Sequence, residues 1–288
     1  MRSFCTVILI LSVGWANSTR AADEARKKAE ETWDAVGGGK SALHETKHFV
    51  VCAPDALGKR LGDIGEWLEK HHDKAKEALQ FEIKEEAKGE VLPGKVIVYL
   101  FAEREQFTSF VRRIEGRRLS PDETASFAAA DDKLHIAVSP PRVKNDLPIE
   151  IQACEQAASL LMARRAGVSM PLPDWLTAGF GRATYYRVAP RDKAVLADRA
   201  LAAKLARRRN ASDIWDGKLS ADEAETLQGS LANYLAYGPA ARAFPKFLAG
   251  FMPGDNMASK TTGQAFDAAG IKPDALSRAW KLWAVSIR

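Results

Sequence analysis

Residues 145–187 read NDLPIEIQACEQAASLLMARRAGVSMPLPDWLTAGFGRATYYR, and the stretch from Asp146 to Arg187 decides the fold. Two helices are legible in it. Asp146 is placed to cap the first, Pro148 suits its first turn, and Glu150 sits at the positive end of the dipole. Arg164 and Arg165 fall in the last turn, and Gly167 closes it. A repeat near 3.6 residues puts Ile151, Cys154, Ala158 and Leu161 on one face. The second helix begins at Trp175 behind the capping residue Asp174 and carries Gly179, Gly181, Tyr185 and Tyr186.

The first helix contains Cys154-Glu155-Gln156-Ala157-Ala158, and the second opens with Pro173-Asp174-Trp175-Leu176-Thr177-Ala178-Gly179. This pair of motifs resembles the peptidase-MA-like secreted bacterial proteins of the gluzincin class, the thermolysin-like zinc metallopeptidases. Their first motif is H-E-x-x-H on a helix, where two imidazoles one turn apart grip zinc and the Glu activates its bound water. Their second motif, P-x-W-L-x-E-G, supplies a Glu as third ligand. In this register Cys154 stands for the first His, Ala158 for the second and Ala178 for the ligand Glu. Among the ligand and base positions Glu155 alone keeps the family residue, that of the general base.

The resemblance implies an α+β, zincin-like fold: a small mixed sheet with flanking helices, followed by a mainly helical C-terminal subdomain. Strands near His48 to Cys52, at Lys95 to Phe101 and, edge-like, at Lys133 to Val138 follow the family's order. It also implies a cleft between the halves, with Trp175, Tyr185 and His135 at its walls. In the related peptidases the edge strand lies along that cleft and pairs with extended substrate. Backbone pairing needs no zinc, so an extended peptide or protein along the edge is the partner implied.

The donor set argues against the inherited chemistry. A catalytic zinc takes about three protein ligands and one open position. Here the register offers one thiol and two methyl groups, which have no lone pair. The five histidines, His44, His48, His71, His72 and His135, all precede the helix. The expected cofactor is therefore none, the zinc site having been lost, and Glu155 is a relic base facing solvent or paired with an Arg. Adjacent His71 and His72 point about 100° apart on a helix and cannot grip one ion together; a solvated face is the expectation there. No G-x-S-x-G elbow, Cys-His signature or glycine-rich phosphate loop stands out.

At the start of the chain, Met1-Arg2, an apolar run from Phe4 to Ala16 and small residues at Thr19, Ala21 and Ala22 read as a secretory signal peptide. Cleavage is expected after Ala21, with Ala16 or Ala22 as alternatives. The run is short for a membrane span, so the mature protein is expected to be secreted, periplasmic or in the cell envelope. The organisation expected is a signal peptide at 1–21, an N-terminal α/β subdomain at 22–145 and a helical subdomain at 146–288.

Removing 1–21 takes away Arg2 and Arg20 and no acid, lowering the net charge from +5 to +3. That surplus is too small for the footprint of a nucleic-acid binder. Cys5 leaves with the signal; Cys52 and Cys154 either pair across the fold or remain two buried thiols. Asp23 to Ala35 reads as a peripheral helix, and Gly37-Gly38-Gly39 as a hinge or linker. Ser126 to Ala130 is placed to form a hairpin with Lys133 to Val138 across Asp131-Asp132.

The reading that follows is an exported pseudopeptidase with a binding or structural role. Two alternatives stand beside it. One is an active metallohydrolase with a non-standard ligand set. The other is an interaction module that sets Arg207-Arg208-Arg209 on an anionic envelope component.

Overall fold

Short apolar runs that do not alternate suit strands covered on both faces. The computed structural model of the chain, which describes residues 11–81, 91–141, 147–167, 172–252 and 260–287 (backbone alone for 11–22), places such runs at the centre of a five-stranded sheet. Helix α1 spans Leu11–Ala35 and leads into β1 (Ser41–Glu45) and β2 (Phe49–Pro54). A 3-10 turn, Asp55–Arg60, precedes α2 (Leu61–Leu79). Then come β3 (Val96–Leu100), α3 (Arg104–Arg113), β4 (Ala125–Ala128) and β5 (His135–Val138). The motif helices are α4 (Ile149–Ala166) and α5 (Asp174–Val188). The remainder is helical: α6 (Lys193–Ala206), α7 (Ser212–Trp215), α8 (Ala221–Ala236), α9 (Phe244–Ala249), α10 (Thr262–Ala268) and α11 (Pro273–Ser286). The molecule is thus α+β, a small mixed sheet followed by a helical part.

The strand order is β1-β2-β3-β5-β4. β2, β3 and β5 run parallel, and β1 and β4 pair antiparallel at the two margins. The hairpin expected around Asp131-Asp132 is present, with Ala125 opposite Val138 and Ala128 opposite His135. It corrects the edge assignment. β5 lies inside the sheet, and β4 is the edge.

Alternation along the strands divides the core. Phe49, Val51, Val96, Val98, Leu100, Ile136 and Val138 face α2 and α4. Val50, Cys52, Ile97, Tyr99, Phe101 and Ala137 face α1 and α3. Cys52 and Cys154 are both free and buried, on opposite faces of the sheet, so a bond between them would have to cross it.

α1 is no peripheral helix. Ala29 and Trp33 are fully buried on the outer face, where the Trp33 ring stacks on Phe101 at 5.4 Å. The three glycines are a tight turn rather than a linker: Gly39 O accepts from Trp33 Nε1 at 3.0 Å. Met1 to Ile10, the first part of the expected signal, lies outside the described residues, while 11–21 falls within α1; Asp146, the expected cap of α4, also lies outside them, and the N-cap of α4 is Pro148. Among the described residues no helix is long and apolar enough to cross a membrane.

α4 is buried or half-buried along its whole length, as a helix wrapped by other elements must be. Ala153, Cys154, Ala157 and Leu160 meet the sheet, while Ala158, Leu161 and Met162 meet the helical core. It therefore belongs to both halves of the chain. α5 packs closely on α8, and Gly179 permits this: a Cβ there would sit 2.5 Å from the Gln228 carbonyl oxygen.

Candidate functional site

Cys154 and Ala158, four residues apart, both turn into packed apolar surroundings and are 0% exposed. Ala178 is exposed on α5. The three degenerate ligand positions thus sit in three surroundings: sheet-side core, helical core and surface. Burial also pushes the Cys154 thiol well above its ordinary range, with the Glu155 and Glu150 charges adding to the rise, so it stays protonated. A protonated thiol and two methyl groups do not fit a zinc ion, since a ligand must offer a free lone pair.

Glu155 points elsewhere, into a cleft of about 640 Å³. Asp122, Thr124 and Ala125 of the edge hairpin form one wall; Gln152, Glu155 and Gln156 of α4, Arg182 of α5 and Glu225 of α8 form the others. Arg182 is the hub. Its Nε lies 2.8 Å from Glu155 Oε1 and its Nη1 3.1 Å from Asp198 Oδ2, while Nη2 pairs with Glu225. Tyr186 donates its hydroxyl to the same Asp198 oxygen at 3.0 Å. Gly229 on α8 makes room for this network; a Cβ there would lie 2.6 Å from Arg182 Cγ and 2.9 Å from the Tyr186 hydroxyl.

Burial raises the Glu155 carboxyl to about 7, with Arg182 pulling it down and Asp198 pushing it up. The network stays acid-rich, with three carboxylates around one guanidinium. Because the folded value exceeds the ordinary one of 4.5, the protonated carboxyl is the form the fold favours. Its stabilising contribution is whole below 4.5 and is lost as pH rises through 7. Two to three units at about 1.4 kcal/mol each amount to about 3 kcal/mol. The stability of Glu155→Gln minus that of wild type should therefore grow by about this much between pH 4.5 and 7.5. Urea titrations at the two values read it, and an unchanged difference refutes it.

The hairpin wall is pinned in place. Arg164, in the last turn of α4, donates to the Ala129 carbonyl at 3.0 Å and pairs with Asp131. Arg104 donates to the Glu123 and Pro121 carbonyls at 2.6 and 3.0 Å, which fixes the loop leading into β4. In the ladder, Ser139 N donates to Thr124 O, so alternation turns the N–H and C=O of Ala125 and Phe127 away from β5.

Three residues expected at the cleft lie elsewhere. His135 is on the opposite face of the sheet, edge-on to Phe110 and 3.1 Å from Glu115 Oε1. Trp175 is buried among the C-terminal helices and donates to Thr262 Oγ1 at 3.2 Å. Tyr185 is buried beside α2, stacked on His71 at 6.2 Å between centroids. In each case the residue type was visible in sequence, and the facing direction depended on neighbours from distant segments. Arg182, Gln152 and Glu225 are not marked by local pattern; the signal for Arg182 was an arginine in the middle of a helix among small and aromatic residues.

His71 and His72 are buried, not solvated. They diverge as their adjacency requires: His71 lies between Trp67 and Tyr185, while His72 stacks on His48. Burial lowers both to about 4, so both rings are neutral near pH 7. In the Arg207–Arg209 run, Arg209 makes a forked pair with Glu223 at the start of α8, which ties α6 to α8.

No protein-family model matches the chain, and no curated protein matches it.

Proposed function

We propose that this chain is a binding protein built on a metallopeptidase-like scaffold that has lost its zinc site, and that its cleft takes an extended polypeptide segment alongside β4. The observation that carries this reading is the position of the cleft: it runs beside the edge strand, with Ala125 on its wall and backbone groups of Ala125 and Phe127 directed off the sheet. An added strand would use those groups, and its side chains would reach α4 and Arg182. Asp122 and Glu225 outnumber Arg182 along the walls, which favours a segment carrying lysine or arginine. Export to the envelope or beyond belongs to the same reading and rests on the N-terminal sequence.

Hydrolysis of the zinc-peptidase type is not part of the proposal, because the ligand register offers one protonated thiol and no other donor. The test is Ala125→Pro. Proline removes only an N–H that β5 does not use, so the hairpin should survive while the edge is blocked. Fluorescence anisotropy with labelled lysine-centred β-strand peptides should show binding that the variant weakens more than about tenfold, or about 1.4 kcal/mol. Undiminished binding by a folded variant, or no binding by wild type, overturns the reading. Chelator-sensitive cleavage of the same peptides would favour an active hydrolase instead.

A further inference from the structure

On the far side of α2 from α5, three side chains from two segments converge. His48 closes the turn between β1 and β2, while Glu69 and His72 stand one helical turn apart on α2. One donor atom from each lies within 4.8 Å of the others. The His48 and His72 rings stack at 3.8 Å between centroids. Glu69 Oε2 is 2.6 Å from His48 Nδ1, and Oε1 accepts from His48 N at 2.8 Å and Thr46 Oγ1 at 2.5 Å.

His72 carries the deciding detail. Its Nδ1 lies 3.2 Å from Asp73 Oδ1, which fixes that nitrogen as the donor and leaves a bare lone pair on Nε2. That Nε2 is buried and has no hydrogen-bond partner, a state that is unfavourable unless something supplies one. His71 Nε2 is also unpartnered, yet its ring is enclosed by aromatic rings rather than by donors, so nothing converges there. A separate cleft of about 510 Å³, lined by His44, Thr46, Glu69 and Asp73 among others, reaches the cluster at Glu69.

We infer that His48, Glu69 and His72 form a binding site for a divalent transition ion of the zinc class. Two imidazoles and one carboxylate match the preference of zinc and its neighbours, and calcium or magnesium would want oxygen donors throughout. Binding requires the His48 ring to turn out of its stack with His72 and aim a nitrogen at the ion. Asp73 holds the His72 tautomer in the way carboxylates outside metal sites commonly do. The bound ion would tie the β1–β2 turn to α2. This site is separate from the Glu155 cleft and shares no residue with it.

The experiment uses the full chain, stripped with chelator and titrated with Zn²⁺ by calorimetry and with Co²⁺ by visible absorption. One ion per chain is expected, with a Co²⁺ spectrum of low coordination number and a Zn²⁺-dependent rise in Tm. His48→Gln, which keeps an amide near Glu69, and Glu69→Gln should each weaken binding more than about tenfold and abolish the Tm rise. Glu155→Gln, in the other cleft, should bind as wild type does. Failure of wild type to bind Zn²⁺ at millimolar concentration overturns the inference. So does binding undiminished in both His48→Gln and Glu69→Gln, binding lost in Glu155→Gln, or a preference for Ca²⁺ over Zn²⁺.

Discussion

Arg182→Met is expected to lower the unfolding free energy by about 3–5 kcal/mol near neutral pH, the usual cost of leaving a buried charge without its partner. Arg182 is only 7% exposed, and its guanidinium is the counterion that Glu155 and Asp198 share. Glu225 is largely exposed, and solvent screens its part in the loss. Without the guanidinium both inner carboxylates face each other across a poorly hydrated space. Protonation of Glu155 then relieves the repulsion, so the deficit should shrink as pH falls toward 4.5. Adding Glu155→Gln to Arg182→Met should recover most of the loss, because one of the two stranded charges is gone. Urea denaturation of the single and double variants decides it; a single variant within about 1 kcal/mol of wild type would mean the network is solvated and the cleft wall is not built on it.

Trp33→Ala should cost a similar amount, about 3–5 kcal/mol, for the removal of a fully buried indole. The indole stacks on Phe101 and donates to Gly39 O, so it fastens α1 and the glycine turn to the outer face of the sheet together. Limited proteolysis should find residues 23–35 protected in wild type and cut in Trp33→Ala, with the remainder of the chain still folded. Trp33→Phe keeps the ring against Phe101 and loses only the hydrogen bond, at about 1 kcal/mol. Equal protection of 23–35 in all three proteins would show that α1 is held by something other than this residue.

The two buried motif helices, the parallel strands at Phe49–Pro54 and Val96–Leu100, and the hairpin around Asp131-Asp132 could be read from the chain because each depends on local pattern. Alternation, helical spacing and turn residues act over a few positions, and the tertiary structure did not overrule them. β1 was missed, since Ser41–Glu45 is half-buried and carries little apolar signal. That the Cys154, Ala158 and Ala178 register carries two methyl groups in place of donors followed from residue identity alone. Methyl groups cannot ligate whatever surrounds them.

Tertiary structure alone decided which side chains meet. It put β5 inside the sheet and β4 at the edge, because strand order depends on pairing between segments far apart in sequence. It sent His135, Trp175 and Tyr185 away from Glu155 and brought Arg182, Asp198 and Glu225 from three helices to one point. It set His48 against Glu69 and His72, although more than twenty positions of chain lie between. Periodicity fixes a residue's face on its own helix or strand; what that face touches is set by packing against elements the local sequence does not contain.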